Sequence, residues 1–281
     1  MTNDMKVKTL IPWFGSNRTL AHTVGEALRG CRWVGIPFAG GMSELVHVDA
    51  PTIVVNDVHW HVMNFANVCR HPTLGPKLFK ALKRTPFHPV VLATAQITLQ
   101  RADVLRPDGL LDYEMAFHYF VSQWMGRSAK SGTTCELSCA LPVRWNANGG
   151  DSNTRYRSAV RSLMAWRRIL QRCNFTCLDC FEFFDKTQDA EGNGVYCDPP
   201  FPDVGDVYKH RFTGDQHRQL AKVLGGYQRT RVICRFYDHP LIRELYPESL
   251  WVWKEQVGRK QSNAKACEML LSKRQDKEGT P

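Results

Sequence analysis

The run Trp33–Phe38 (WVGIPF) is apolar, turns at Ala39-Gly40-Gly41 and continues as Met42-Ser43-Glu44-Leu45. An apolar strand, a tight glycine turn and a helix start, in that order, open a nucleotide-binding α/β unit. A second run, Thr52–Val55, ends at Asn56-Asp57, and Val58, Val62 and Phe65 then fall at helical spacing over 58–68. Strand, turn, helix and strand in sequence predict a parallel sheet with a right-handed crossover. Sheet-type patterning returns late. Phe175–Phe184 reads as containing a strand, and Val195-Tyr196-Cys197-Asp198 as a short buried strand that ends at Pro199-Pro200-Phe201. Thr213 and Gln216 have capping-box spacing before a helix over 214–224. Arg231–Tyr237, Trp251–Lys254 and Glu268–Lys273 complete the predicted sheet.

The middle of the chain reads differently. Breaks at His71-Pro72, Leu74-Gly75-Pro76 and Thr85-Pro86 end the first pattern. Residues 90–125 read as two helical pieces split at Arg106-Pro107-Asp108-Gly109, and 126–153 as a Gly/Ser/Thr/Asn-rich stretch with short β-type runs. Residues 154–172 read as one basic helix. The expected organisation is one α/β unit from 1–70 and 166–281, with 71–165 inserted as a piece with its own task.

Charge narrows the partners. The chain of 281 residues carries a net charge of +10. Residues 127–172 hold nine basic side chains against Glu136 and Asp151. A solvated helix face mixes signs, so this bias fits a polyanion such as nucleic acid. No apolar run reaches the length of a membrane span, and the N-terminus has no apolar segment of a secretory signal. A cytoplasmic protein, a monomer in solution and no membrane partner are the expectations. The ten cysteines then read as free thiols, many of them buried.

The chemistry concentrates at Asp198-Pro199-Pro200-Phe201. In open α/β sheets ligands bind at the carboxyl ends of strands. Two prolines fix the backbone there and remove two N–H donors. What remains is a carboxylate and carbonyls with no competing donors, beside an aromatic ring. That set suits an exocyclic amino group on a flat base. Its nitrogen lone pair is delocalised into the ring, and accepting its hydrogens at Asp198 and the Pro199 carbonyl would favour the nucleophilic, pyramidal form, with Phe201 stacked on the base. A plain turn after a strand is the competing reading. The turn at Phe38-Ala39-Gly40-Gly41 reads as a close backbone approach to a cofactor or as a bland tight turn. Asp57 reads as a ribose ligand or as the N-cap of the next helix.

In order along the chain, Ile11-Pro12-Trp13-Phe14-Gly15-Ser16-Asn17-Arg18, Pro37-Phe38-Ala39-Gly40-Gly41, Asn56-Asp57 and Asp198-Pro199-Pro200-Phe201 resemble the Dam-type DNA adenine-N6 methyltransferases. Gly126-Arg127-Ser128, the stretch Tyr208–Phe212 and Glu268-Met269-Leu270-Leu271 are similar to the family as well. The likeness covers nearly the whole chain. It implies a Rossmann-like methyltransferase sheet with an inserted helical and β-hairpin DNA-recognition domain. It implies S-adenosylmethionine as cofactor, held by Trp13, Gly15, Asn17, Phe38, Gly40, Gly41, Asp57 and Asp198. Asp198, Pro199, Pro200 and Phe201 would carry catalysis on an adenine flipped out of the duplex. Arg127, Lys130, Arg144 and Arg155 are the candidates for DNA contact, and no metal is implied. Two positions depart from the family pattern: Asn17 stands where the family has lysine, and Phe201 where it has tyrosine, which removes only a hydroxyl.

Other readings compete. Cys173, Cys177 and Cys180 have the iron–sulfur spacing of radical enzymes that cleave S-adenosylmethionine, and Cys135 and Cys139 could join some of them at zinc. An RNA adenine could be the substrate, or the chain could be a DNA-binding relic without activity. The compact, cysteine-rich chain is compatible with a bacterial, phage or mobile-element source.

Overall fold

The computed structural model describes residues 9–16, 18–101, 111–126, 130–145, 150–203, 207–256 and 268–274. Its centre is a seven-stranded sheet: β1 (Trp33–Ile36), β2 (Thr52–Asn56), β3 (Cys173–Thr176), β4 (Asn193–Cys197), β5 (Arg231–Tyr237), β6 (Trp251–Gln256) and β7 (Glu268–Lys273). The spatial order is β3-β2-β1-β4-β5-β7-β6. The first five strands are parallel, while β7 runs antiparallel to both β5 and β6. The architecture is mixed α/β and compatible with a Rossmann-like fold.

The order reverses at β1, which pairs with β2 on one side and with β4 on the other. Such a reversal sends the following connections to opposite faces and leaves a crevice at the strands' carboxyl ends. Two hydrophobic clusters cover the two faces. The larger is built with α1 (Ala21–Ala27), α2 (Trp60–Arg70), α3 (Leu74–Arg84), α4 (Pro89–Arg101), α5 (Tyr113–Met125) and α6 (Ser152–Leu170). The smaller is built with α7 (Cys180–Asp185), α8 (Gly214–Gly226) and α9 (Pro240–Leu245). α3, α4 and α5 share one continuous core with α2, α6 and the sheet, and α6 runs without a break past residue 165.

Helix starts are set by side chains that accept from exposed backbone N–H groups. Asp112 accepts from Met115, Asp151 from Thr154, and Asp179 from Phe181. Thr213 and Gln216 form both bonds of the expected capping box on α8. Each cap of this kind contributes about 1 kcal/mol.

Several elements differ from expectation. The strand expected within Phe175–Phe184 is earlier and shorter, at Cys173–Thr176, and the aromatic run Phe181, Phe183 and Phe184 lies on helix α7. The Asp179 cap starts that helix. The break expected at Leu74-Gly75-Pro76 is instead the first turn of α3, where a proline lacks no needed N–H. Val58 precedes α2 and is exposed. Among the described residues of 126–153 no β-hairpin forms; the isolated bridges Trp13 to Ser131 and Thr133 to Tyr208 stand there instead. No helix of the described residues is long and apolar enough to cross a membrane.

One core residue is a liability. His61 is buried and stacks on Tyr119, with ring centres 5.4 Å apart. Neither of its ring nitrogens has a hydrogen-bond partner among the described residues. Burial first, and then His59, push its pKa from 6.5 down to about 3. The unfolded chain therefore gains a proton below pH 6.5 that the folded chain refuses until about pH 3. This stability is complete above the unfolded value and drains away as pH falls. His61→Phe keeps a ring in place and removes both unpartnered nitrogens. It is expected to raise the urea midpoint at pH 5 and to flatten the fall in stability between neutral and acid pH. A slope equal to that of the wild type would show that His61 is not the group responsible.

Candidate active site

A cavity of about 610 Å³ opens at the carboxyl ends of β1, β2 and β4. Its size is that of small-molecule sites. Segments far apart in sequence line it. Trp13 and Gly15 come from the first loop, Phe38, Gly40 and Gly41 from the turn after β1, and Asp57 from the end of β2. Asp198, Pro199, Pro200 and Phe201 come from the end of β4. All the described candidates for catalysis and cofactor binding thus face one space. Asn17 lies outside the described residues.

Asp57 holds the glycine turn. Its Oδ2 accepts from the Gly40 N–H at 2.8 Å and its Oδ1 from the His59 N–H at 2.9 Å. The cap position of α2 is His59, so the N-cap reading of Asp57 is replaced by this cross-link between two strand ends. Gly40 adopts φ +45°, and a Cβ there would lie 2.9 Å from the Trp13 indole. Gly132 is tighter still: with φ +79°, its Cβ would meet the same indole at 2.3 Å. Both glycines are therefore required by the close packing of Trp13 as well as by their backbone angles.

Three loops interlock along this wall. The Phe14 N–H donates to the Ser131 carbonyl at 3.3 Å, the Lys209 N–H to the Gly132 carbonyl at 2.8 Å, and the Tyr208 hydroxyl to the Phe14 carbonyl at 3.0 Å. Behind them, Glu136 is buried. It meets the His59 Nε2 at 3.0 Å and accepts from the Gly132 N–H at 2.9 Å. Burial pushes Glu136 up, but His59, the Gly132 N–H and the Lys209 ammonium together hold it below the ordinary carboxylate value.

Asp198 is partly exposed to the cavity and paired from below. Arg235, in the middle of β5, donates from Nη1 to Asp198 Oδ2 at 3.0 Å and to Oδ1 at 3.3 Å. The same nitrogen donates to the Gly15 carbonyl at 2.8 Å, and Nη2 donates to Glu268 at 2.9 Å. The guanidinium lies 5.3 Å from the centre of the Phe201 ring. Phe201 is only 9% exposed and packs edge-on against Tyr237, so it offers little free face for stacking. Burial raises the Asp198 pKa while Arg235 opposes that rise.

None of the described candidates for DNA contact lines this cavity. Arg144 and Arg155 are exposed, Lys130 is half-buried, and Arg127 lies outside the described residues.

Cys173, Cys177 and Cys180 differ in exposure. Cys173 and Cys180 are buried, and burial pushes both thiols up to about 12, whereas Cys177 is exposed. Among the described residues no group of three or more His, Cys, Asp or Glu side chains is placed to hold a metal.

Arg235 and Asp179, which also line the cavity, and Glu136 behind it escaped the reading of the sequence, which singled out Tyr208 only as part of the stretch Tyr208–Phe212. Only Arg235 leaves a trace there: a charge inside the apolar run Arg231–Tyr237 demands a buried partner.

Asp57→Ala would leave the N–H groups of Gly40 and His59 without their acceptor. The expected cost is about 1–3 kcal/mol per stranded group, read as a lower denaturation midpoint. A midpoint unchanged from wild type would mean that Asp57 does not organise the turn.

Comparison with protein-family models finds no match for the chain, and comparison with curated proteins finds none either.

Proposed function

We propose that the chain is an S-adenosylmethionine-dependent methyltransferase acting on the N6 amino group of adenine in DNA. The observation that carries this reading is the convergence of the first loop, the glycine turn, Asp57 and Asp198-Pro199-Pro200-Phe201 on one cavity at the sheet's reversal point. The resemblance to Dam-type enzymes supports it further.

The lining fits the cofactor's chemistry. Four carboxylate residues, Glu44, Asp57, Asp179 and Asp198, line the cavity along with Arg211 and Arg235. An acidic lining favours a ligand with cationic centres. His59 Nδ1 is also buried against this space without a partner among the described residues. Trp13, Gly15, Phe38, Gly40, Gly41 and Asp57 would hold the cofactor. S-adenosylmethionine supplies a methyl group on a positive sulfur, whose carbon–sulfur electron pair returns to sulfur as the new nitrogen–carbon bond forms.

The protein's own groups prepare the nucleophile. Asp198 and the Pro199 carbonyl accept the two amino hydrogens and draw the nitrogen lone pair out of the ring. The prolines supply no N–H to compete. The amino nitrogen then carries one proton too many, and that proton leaves to water. Residues 1–70 and 166–281 form the catalytic part in this reading. Residues 71–165 bring the target, with Arg127, Lys130, Arg144 and Arg155 on the DNA.

Asp198→Ala is expected to abolish transfer of labelled methyl to unmethylated duplex DNA while the chain still folds, at a lower melting temperature because the buried Arg235 loses one of its two carboxylate partners. Transfer at the wild-type rate would remove Asp198 from the site. Label on RNA and none on DNA would change the substrate class.

Arg155→Ala and Arg144→Ala are expected to weaken DNA binding and to lower the slope of log affinity against log salt by about one for each phosphate no longer neutralised. An unchanged slope would take that residue out of the footprint.

A further inference from the structure

Asp198 does not face the cavity as an isolated carboxylate. Beneath it lies Arg235, whose side chain is 3% exposed and which is bonded at the same time to Asp198, to the Gly15 carbonyl and to Glu268. Three segments that form the site therefore meet at one guanidinium. Glu268 is the first residue of β7, the strand that enters antiparallel beside β5, and Glu268 pairs in register with Tyr237.

A charge count gives the arrangement its meaning. Arg235 alone would neutralise Asp198. A neutral pair is a poor neighbour for an amino nitrogen that becomes positive as it gains a methyl group. Glu268 supplies a second carboxylate on the far side of the guanidinium, so the three groups together carry one negative charge. A single guanidinium nitrogen, Nη1, touches both Asp198 oxygens from one side, which points the carboxylate at Arg235 and leaves its other lone pairs for the cavity.

We infer that Arg235 and Glu268 are positioning residues for Asp198: Arg235 aims the carboxylate, and Glu268 returns to the site the negative charge that Arg235 would cancel. The inference rests on the methyltransferase reading for its consequence in catalysis, while the charge relay itself is a property of the folded chain. Among the described residues, the other ionisable groups around Asp198 are Tyr196 and Cys197 on β4, Tyr237 on β5 and Tyr208 from the 207–212 loop. Burial raises the pKa of Cys197, Tyr237 and Tyr208, so these three groups stay neutral across the range in which a carboxyl titrates. Arg235 and Glu268 act on Asp198 in opposite directions, Arg235 lowering its pKa and Glu268 raising it.

The test uses two variants with opposite expected effects. The carboxyl carbon of Asp198 is followed by NMR in ¹³C-labelled full-length protein, its resonance identified by its loss in Asp198→Asn. Arg235→Met is expected to raise the titration midpoint by about one to three pH units. Glu268→Gln is expected to lower it. Arg235→Lys keeps the charge without the fork, and its midpoint should stay between those of wild type and Arg235→Met. In methyl transfer to duplex DNA the acid limb of the kcat profile should move with each midpoint. Glu268→Gln should also lose about tenfold or more in kcat at neutral pH, with KM for S-adenosylmethionine little changed. Melting of each variant is measured alongside, and Glu268→Gln, the milder change, carries the test if Arg235→Met does not fold.

Midpoints that stay put in the folded variants, or that move in the same direction, would overturn the relay. Opposite shifts with no transfer to DNA or RNA by the wild type would keep the relay and sink the methyltransferase reading. Transfer whose acid limb ignores both variants would do the reverse.

Discussion

The pairing of β1 with β4 is the constraint on which the site depends. Trp33, Val34 and Gly35 lie in parallel register with Asn193, Gly194 and Val195, although more than half the chain separates them. Parallel neighbours need a crossover, and everything between these two strands must be packed against the sheet before they can meet. The glycine turn and Asp198 are brought side by side only by this register. A slip of one residue would exchange the faces of the strand and turn Val195 and Cys197 out of their core. The cavity is thus a consequence of strand order before it is a consequence of any single side chain.

The rest of the site is a series of cross-links laid over that order. Asp57 binds the end of β2 to the turn after β1. Arg235 binds β5 to the first loop, to β4 and to β7. Glu136 and the interlocked loops bind the 130–136 stretch to the wall that holds Trp13. Each uses charge or hydrogen bonding where apolar packing would not fix a direction. Such groups are expensive to bury and strongly directional once partnered. This explains why the buried charged residues Asp57, Glu136 and Arg235 gather around the cavity, while the two apolar clusters fill the layers on either side of the sheet.

The sequence makes the sheet legible because its strands are short apolar runs bounded by turns. Arg231–Tyr237 and Glu268–Lys273 match the expected strands residue for residue, and the α8 capping box is visible from Thr213 and Gln216 alone. α3 was hidden because Leu74-Gly75-Pro76 looks like a break, yet a proline is harmless in a first helical turn. The helix at Cys180–Asp185 was hidden because its aromatic residues suit a strand as well, and only the cap at Asp179 distinguishes the two. Site residues were legible where chemistry is local, as in Asp-Pro-Pro or the glycine turn. They were not legible where a side chain acts on a distant segment. Nothing near Arg235 in sequence names Gly15, Asp198 or Glu268 as its partners, and nothing near Gly132 says that Trp13 will lie against it.

The order in which the chain is made gives the Arg235 cross-link a further consequence. Arg235 leaves the ribosome after Gly15 and Asp198, whereas Glu268 follows 33 residues later. For that interval a nascent chain can place Arg235 against Asp198 with no counterpart on the other side, and β5 has an open edge where β7 will lie. A shortened product that ends before β7 would keep the whole cavity lining yet present a charge-cancelled carboxylate and an unpaired strand edge. Addition of β7 therefore covers the β5 edge and brings the second carboxylate to Arg235 in one step, so a chain lacking β7 would expose a strand edge prone to pair with its own kind.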